Sequence, residues 1–174
     1  MPADRTKSNV VDVRLATPDD APAIRTIYNV EVESHTSTFD LVPRTLEQQR
    51  AWLDERSGAF SAVVATLRSD PGVVVGFAAL STYKERAAYR TTVENSVYVS
   101  REHGGLGIGT ALMLHVIDVA RESGFHSIVA RIEASSEASR GLHASVGFEL
   151  VGVEREVGRK FNRWLDVAIM QLML

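Results

Sequence analysis

Apolar and polar positions alternate in Val10-Val11-Asp12-Val13-Arg14-Leu15-Ala16, and this period of two predicts an opening strand. Thr17-Pro18-Asp19-Asp20 follows with the cap residue, proline and acids of a helix start. The predicted helix runs to about Val32, with Ile24, Ile27 and Tyr28 on one face. Pro43-Arg44-Thr45 opens a second helix, Leu46 to about Glu55, anchored by Trp52 and Leu53. Strands are predicted over 60–67 and 73–80, joined through Ser69-Asp70-Pro71-Gly72 as a hairpin. Residues 81–92 read as a polar loop rich in Arg, Lys and Tyr, and 93–100 as a fourth strand.

Past a glycine-rich string, Leu112, Val116, Val119 and Ala120 recur at helical spacing. Asp118, Arg121 and Glu122 take the wet side, and Gly124 is placed to end the helix. A strand over 127–132, a short helix over 137–145 closed by Gly147, and strands over 148–153 and 165–172 complete the pattern. A long run of βα units would predict a parallel doubly wound sheet. The early hairpin and late strands instead predict an α/β (α+β) fold. Its sheet is mixed and mainly antiparallel, with about seven strands and about four helices on both faces. No repeat, low-complexity tract or linker interrupts 10–174, which reads as one domain behind a polar, flexible lead over 1–9.

Composition narrows the function classes. A chain of 174 residues, 45% apolar and 24% charged, suits one soluble globular domain with a full core. A net charge of −3 gives no general pull toward nucleic acid or anionic membrane. With no cysteine there is no disulfide, thiolate metal site or cysteine nucleophile. No run spans a bilayer, the first residues lack the apolar stretch of a signal peptide, and the expected location is cytoplasmic.

Gly104-Gly105-Leu106-Gly107-Ile108-Gly109-Thr110-Ala111-Leu112 carries the chemistry. Small residues between a strand and a helix let a ligand approach the backbone, and the free N–H groups and helix dipole there favour an anion such as a diphosphate. A P-loop needs Lys where Thr110 stands, and a dinucleotide fingerprint counted from Gly107 needs glycine where Leu112 stands. A glycine-rich connector without a ligand is the plain alternative. His35, His103, His115 and His126 show no metal-ligand spacing and are expected on surface or helix faces; no metal is expected.

The chain resembles the GNAT N-acetyltransferases over about residues 10–174, through the fourth strand, the glycine string and its helix, and the short helix ending in Gly147-Phe148. Ile27-Tyr28-Asn29, Thr38-Phe39, Pro43-Arg44-Thr45 with Trp52-Leu53, Val93 to Ser100, Leu142-His143, Gly158-Arg159-Lys160-Phe161 and Trp164-Leu165-Asp166 are similar to the phosphinothricin acetyltransferase branch. Two positions depart from the family pattern: Gly104 stands where Gln or Arg is usual, and Ser136 where Asn is frequent.

The resemblance implies acetyl-CoA as acetyl donor, with its diphosphate on the glycine string. Val97, Tyr98, Val99, Gly104, Gly105, Leu106, Gly107, Ile108, Gly109, Thr110, Ser136 and Ser139 are the implied coenzyme-binding residues. Glu94 shares a strand face with Ser96 and Tyr98, and the resemblance makes it the general base for the acceptor amine. His143 is the second catalytic candidate, as a proton donor to the leaving thiolate; its alternative is a helix-face histidine satisfied by a neighbour. A backbone N–H between Val97 and Val99, freed by a bulge, would face the thioester oxygen. Attack is expected to be direct, with no acyl-enzyme. Arg86 and Tyr89, with Phe39 and Lys160, are the expected contacts for an amino-acid-like acceptor such as phosphinothricin or methionine sulfoximine or sulfone. Peptide N-terminal acetylation and a non-catalytic acyl-CoA-binding module are the alternatives; retention of both Glu94 and His143 argues against the second. Tyr98 and the 164–174 segment are expected at a homodimer interface.

Overall fold

Residues 10–174 are described by a computed structural model; the lead over 1–9 lies outside the described residues. The elements are β1 (Val11–Leu15), α1 (Ala21–Ser34), α2 (Leu46–Asp54), β2 (Val63–Leu67), β3 (Asp70–Thr82), β4 (Thr92–Val99), α3 (Ile108–Glu122), β5 (Ser127–Glu133), α4 (Glu137–Ser145), β6 (Glu149–Lys160) and β7 (Arg163–Met173). They form one seven-stranded sheet in the order β1-β2-β3-β4-β5-β7-β6. Every neighbouring pair is antiparallel except β4 with β5.

The apolar stripe of α3 explains its place. Ile108, Leu112, Met113, Val116, Ile117 and Ala120 are all at most 2% exposed, and they pack on Val63, Val75, Leu80, Val93 and Ile128. On the other face α1 buries Ile24, Ile27, Tyr28 and Val32 against Val64 and Phe77. In α2 the fully buried residue is Gln49; Trp52 and Leu53 are only half-buried against this second cluster. Phe60, expected in a strand, instead closes a short 3-10 turn, where Arg56 donates to its carbonyl at 3.0 Å and to that of Leu80 at 2.8 Å.

The last two strands are much longer than the sequence pattern indicates. Residues 154–164 are exposed apart from Gly158 and Lys160, so burial imposes no apolar alternation on them. They turn at Phe161-Asn162, both with positive φ, without the glycine that usually announces such a hairpin. A register shift between Glu154 and Gly158 accommodates Glu156 at φ 55, whose N–H donates to Asp166 Oδ1 at 2.8 Å.

Asp20, buried ahead of α1, accepts from Arg14 at 2.7 and 2.9 Å and from the Thr17 N–H at 2.7 Å. Burial raises its pKa, but these hydrogen bonds and the Arg14 charge outweigh burial and hold it below the ordinary value. A depressed folded pKa stabilises the fold above the unfolded value and loses that contribution as pH falls through the folded one. We expect Asp20→Asn to be less stable than the parent at neutral pH and the gap to close in acid, read from urea midpoints across pH.

The feature that shapes the site is where β4 and β5 part. Their parallel pairing covers only Thr92–Glu94 against Ser127–Val129. Beyond it β4 stays with β3 as far as Val99, and β5 stays with β7 as far as Glu133.

Candidate active site

The divergence of β4 and β5 opens a cleft at mid-sheet. A cavity of about 640 Å³ lies along Val97–Arg101, the glycine turn, the start of α3 and one face of α4. A smaller one of about 120 Å³ continues toward Glu94, Asn95, Arg131, Glu133 and His143. Ser37, Val97, Tyr98, Ser136 and Ser139 border both.

Free backbone donors along the cleft need no bulge. The β3–β4 register runs unbroken from Gly76↔Val99 to Thr82↔Val93, and Ser100 N–H bonds the Val75 carbonyl at 2.8 Å in the same register. Antiparallel pairs alternate, so Ser96, Tyr98 and Ser100 turn their N–H groups to β3. Val97 and Val99 turn theirs the opposite way, to the side β5 has left. The bulge expected from the sequence is therefore corrected: splaying of two strands does that work.

The glycine turn has the local geometry its sequence demands. Gly105 and Gly107 sit at φ 77 and 74, and Gly107 is the N-cap of α3. The first N–H groups of α3, at Ile108, Gly109 and Thr110, lack helical partners and border the larger cavity. Gly109 has a second role: a Cβ there would lie 2.9 Å from Leu142 Cδ2, so its bareness lets α3 approach α4. Of the residues expected to bind the coenzyme, all but Leu106 line the larger cavity. Leu106 is 45% exposed and outside the lining.

Glu94 borders the smaller cavity with its side chain 23% exposed, and Arg131 Nε donates to its Oε1 at 3.1 Å. His143 is buried with both ring nitrogens engaged. Nδ1 lies 2.8 Å from the Ser139 carbonyl, an acceptor only, so Nδ1 carries the proton. Nε2, 3.0 Å from Asn95 Nδ2, then accepts from it. Burial lowers the His143 pKa, against the Ser139 hydrogen bond, and favours this neutral form. This is the arrangement that the alternative reading describes, a histidine satisfied by its neighbours, at the border of the smaller cavity.

Tyr98, expected at an interface, is half-buried on the second apolar cluster and borders both cavities. It stacks on Phe77 at 5.2 Å and meets Tyr28 edge-on at 5.2 Å. Burial, with Tyr28 beside it, pushes its pKa far up, so it stays a phenol.

The expected acceptor contacts do not converge. Arg86 and Tyr89 are exposed at the short turn before β4 and border neither cavity. Phe39 lies against Gly158, where a Cβ would come within 2.1 Å of its ring. Lys160 is a buried tie, its Nζ donating to the carbonyls of Glu31 at 3.1 Å and Thr38 at 2.9 Å.

Sequence reading missed several lining residues. Glu31, on α1, is 4% exposed and takes Arg101 Nε at 2.8 Å and Nη2 at 2.7 Å, as well as Ser37 Oγ. Glu133 takes Ser135 N–H at 3.0 Å, Ser135 Oγ at 2.6 Å and Thr36 Oγ1 at 3.1 Å. His103, expected on the surface, borders the larger cavity. No spacing in the chain announces Glu31, Arg101 or Asn95, since their partners come from other elements.

These features define an acyltransferase of the GNAT type. Residues 24–148 match the Acetyltransferase (GNAT) family, and the chain belongs to it as an N-acetyltransferase. It is 39% identical over 163 residues to the Pseudomonas aeruginosa L-methionine sulfoximine/L-methionine sulfone acetyltransferase, covering 93% of this chain and 94% of that one. The Sinorhizobium meliloti phosphinothricin acetyltransferase in complex with AcCoA superposes at a TM-score of 0.89 and 34% identity, covering 95% and 89% of the two chains. The Brucella melitensis structure named ribosomal-protein-alanine N-acetyltransferase superposes at 0.89 and 39% identity, covering 94% and 99%.

Proposed function

We propose that this enzyme moves an acetyl group from acetyl-CoA to the amino group of a small amino-acid-like acceptor, such as methionine sulfoximine, methionine sulfone or phosphinothricin. The observation that carries the reading is the continuous path from the glycine turn, past the outward N–H groups of Val97 and Val99, to Glu94. The residues fit the donor: the turn offers bare amides for a diphosphate, and a strand edge offers amides for an amide-rich arm. Bound acetyl-CoA supplies an activated acetyl thioester.

Glu94 accepts the ammonium proton of the acceptor, directly or through a water in the smaller cavity. Arg131 holds one carboxylate oxygen and leaves Oε2 for that proton. The Val97 N–H serves the oxygen on which charge develops. His143 and Asn95 act as positioning residues that join α4 to β4. Exposed Leu150, Val151, Val153, Val157 and Trp164 on β6 and β7 support pairing of two copies, which sedimentation at several concentrations tests.

We expect calorimetry to show acetyl-CoA binding and a thiol-release assay to show turnover with methionine sulfoximine. Binding without release over a panel of amino acids, amines and peptides would overturn the reading in favour of an acyl-CoA-binding module. Likeness to the structure named for ribosomal-protein alanine supports a second reading, acetylation of peptide N-termini. Turnover of an N-terminal alanine peptide in preference to methionine sulfoximine would establish it.

A further inference from the structure

We propose that Arg101 supplies the charged contact to the donor's diphosphate, in place of the side chain that Gly104 lacks. The inference rests on the larger cavity being the donor's site. Among the described residues bordering that cavity, Arg101 is the only Lys or Arg; the other titratable side chains there, apart from the Tyr98 phenol, are Glu31 and His103. A diphosphate entering this space therefore meets one permanent positive charge besides the backbone amides of the turn.

The guanidinium is held ready for that task. Nε and Nη2 donate to the two carboxylate oxygens of Glu31, at 2.8 and 2.7 Å. Of five guanidinium N–H donors three remain, and the side chain is 55% exposed. A buried carboxylate thus fixes the plane and leaves the outer edge of the fork for an anion. Burial raises the Glu31 pKa, but hydrogen bonds from Arg101 and Ser37 and the Arg101 charge bring it below the ordinary value, so the carboxylate stays ionised as an anchor. His103 Nδ1, 3.3 Å from Ser100 Oγ, adds a polar neighbour on the same turn.

Glu31 also accepts from Ser37, which borders both cavities, and its carbonyl takes Lys160. The anchor that orients Arg101 is therefore tied to the 35–40 segment. A purely structural Arg101 would act through that segment and affect every acyl donor alike.

Donor truncation separates the two roles. S-acetylpantetheine carries the same thioester and arm as acetyl-CoA but no diphosphate. For Arg101→Gln we expect KM for acetyl-CoA to rise about tenfold with kcat within twofold, and KM for S-acetylpantetheine to stay unchanged. Calorimetry with CoA should show the same loss, and a weaker salt dependence than the parent shows. Arg101→Lys keeps the charge without the fork; it should fall between the parent and Gln, and it serves if the Gln variant does not fold. An unchanged KM for acetyl-CoA, or an equal rise for both donors, overturns the inference. Parent protein that binds neither CoA nor acetyl-CoA would overturn the donor reading of the cavity itself, and this assignment with it.

Discussion

Glu94→Gln lowers kcat for acetylation of an amino-acid acceptor about a hundredfold near neutral pH, the low end of what a positioned general base contributes. Acetyl-CoA affinity stays within twofold. The Gln carbonyl oxygen still accepts from Arg131 Nε, now 3.1 Å from Glu94 Oε1, so the geometry of the smaller cavity survives. What is lost is the negative charge and the basic oxygen that takes the ammonium proton. As pH rises, more of the acceptor amine is free without help, and the variant recovers part of its deficit. Stopped thiol-release assays over a pH series, with calorimetry for the donor, check both halves. A rate equal to the parent's at every pH would remove Glu94 from the mechanism.

Gly107→Val weakens acetyl-CoA binding by at least about tenfold, which corresponds to about 1.4 kcal/mol. Gly107 holds φ 74 at the N-cap of α3. An ordinary residue in that region costs about 1–2 kcal/mol, and a β-branched one is an outlier there. The backbone escapes by rotating to negative φ, which re-aims the amides of Ile108 and Gly109 away from the cavity they now border. Leu106→Ala is the control: Leu106 is exposed and outside the lining, and its removal leaves affinity within twofold. Calorimetry reads the affinities, and circular dichroism confirms that both variants fold. Equal losses in the two variants, or none in Gly107→Val, would detach the turn from donor binding.

Legibility along the chain followed burial. The helices over 108–122 and 137–145 were readable because a packed face forces apolar residues to recur at helical spacing. The outer halves of β6 and β7 were not readable, because exposed strands need no alternation and their turn uses Phe161-Asn162. Within the site, glycines announce their own backbone geometry, so Gly105 and Gly107 were found directly. Alternation alone puts Glu94 on one strand face with Ser96 and Tyr98, and all three border the smaller cavity. The sequence singles out His143 but not its partners, Asn95 and the Ser139 carbonyl, of which Asn95 comes from another element. Lys160 looked like a substrate contact until its amine proved to be spent on two carbonyls of the 31–38 region.

By itself the sequence determined the order of strands and helices, the glycine turn that suits an anion, and the family to which the chain belongs. Each is set by neighbours within a few positions or by patterns spread over the whole chain. Tertiary structure alone decided that β4 and β5 part after Glu94, so that two amides face a cleft without a bulge. It also decided that Glu31 meets Arg101 and that His143 meets Asn95. Those pairings join residues tens of positions apart. Burial in a shared low-dielectric space makes an unpaired charge or donor costly, and for the Glu31 carboxylate and the His143 ring the partner is one that only the folded chain can bring.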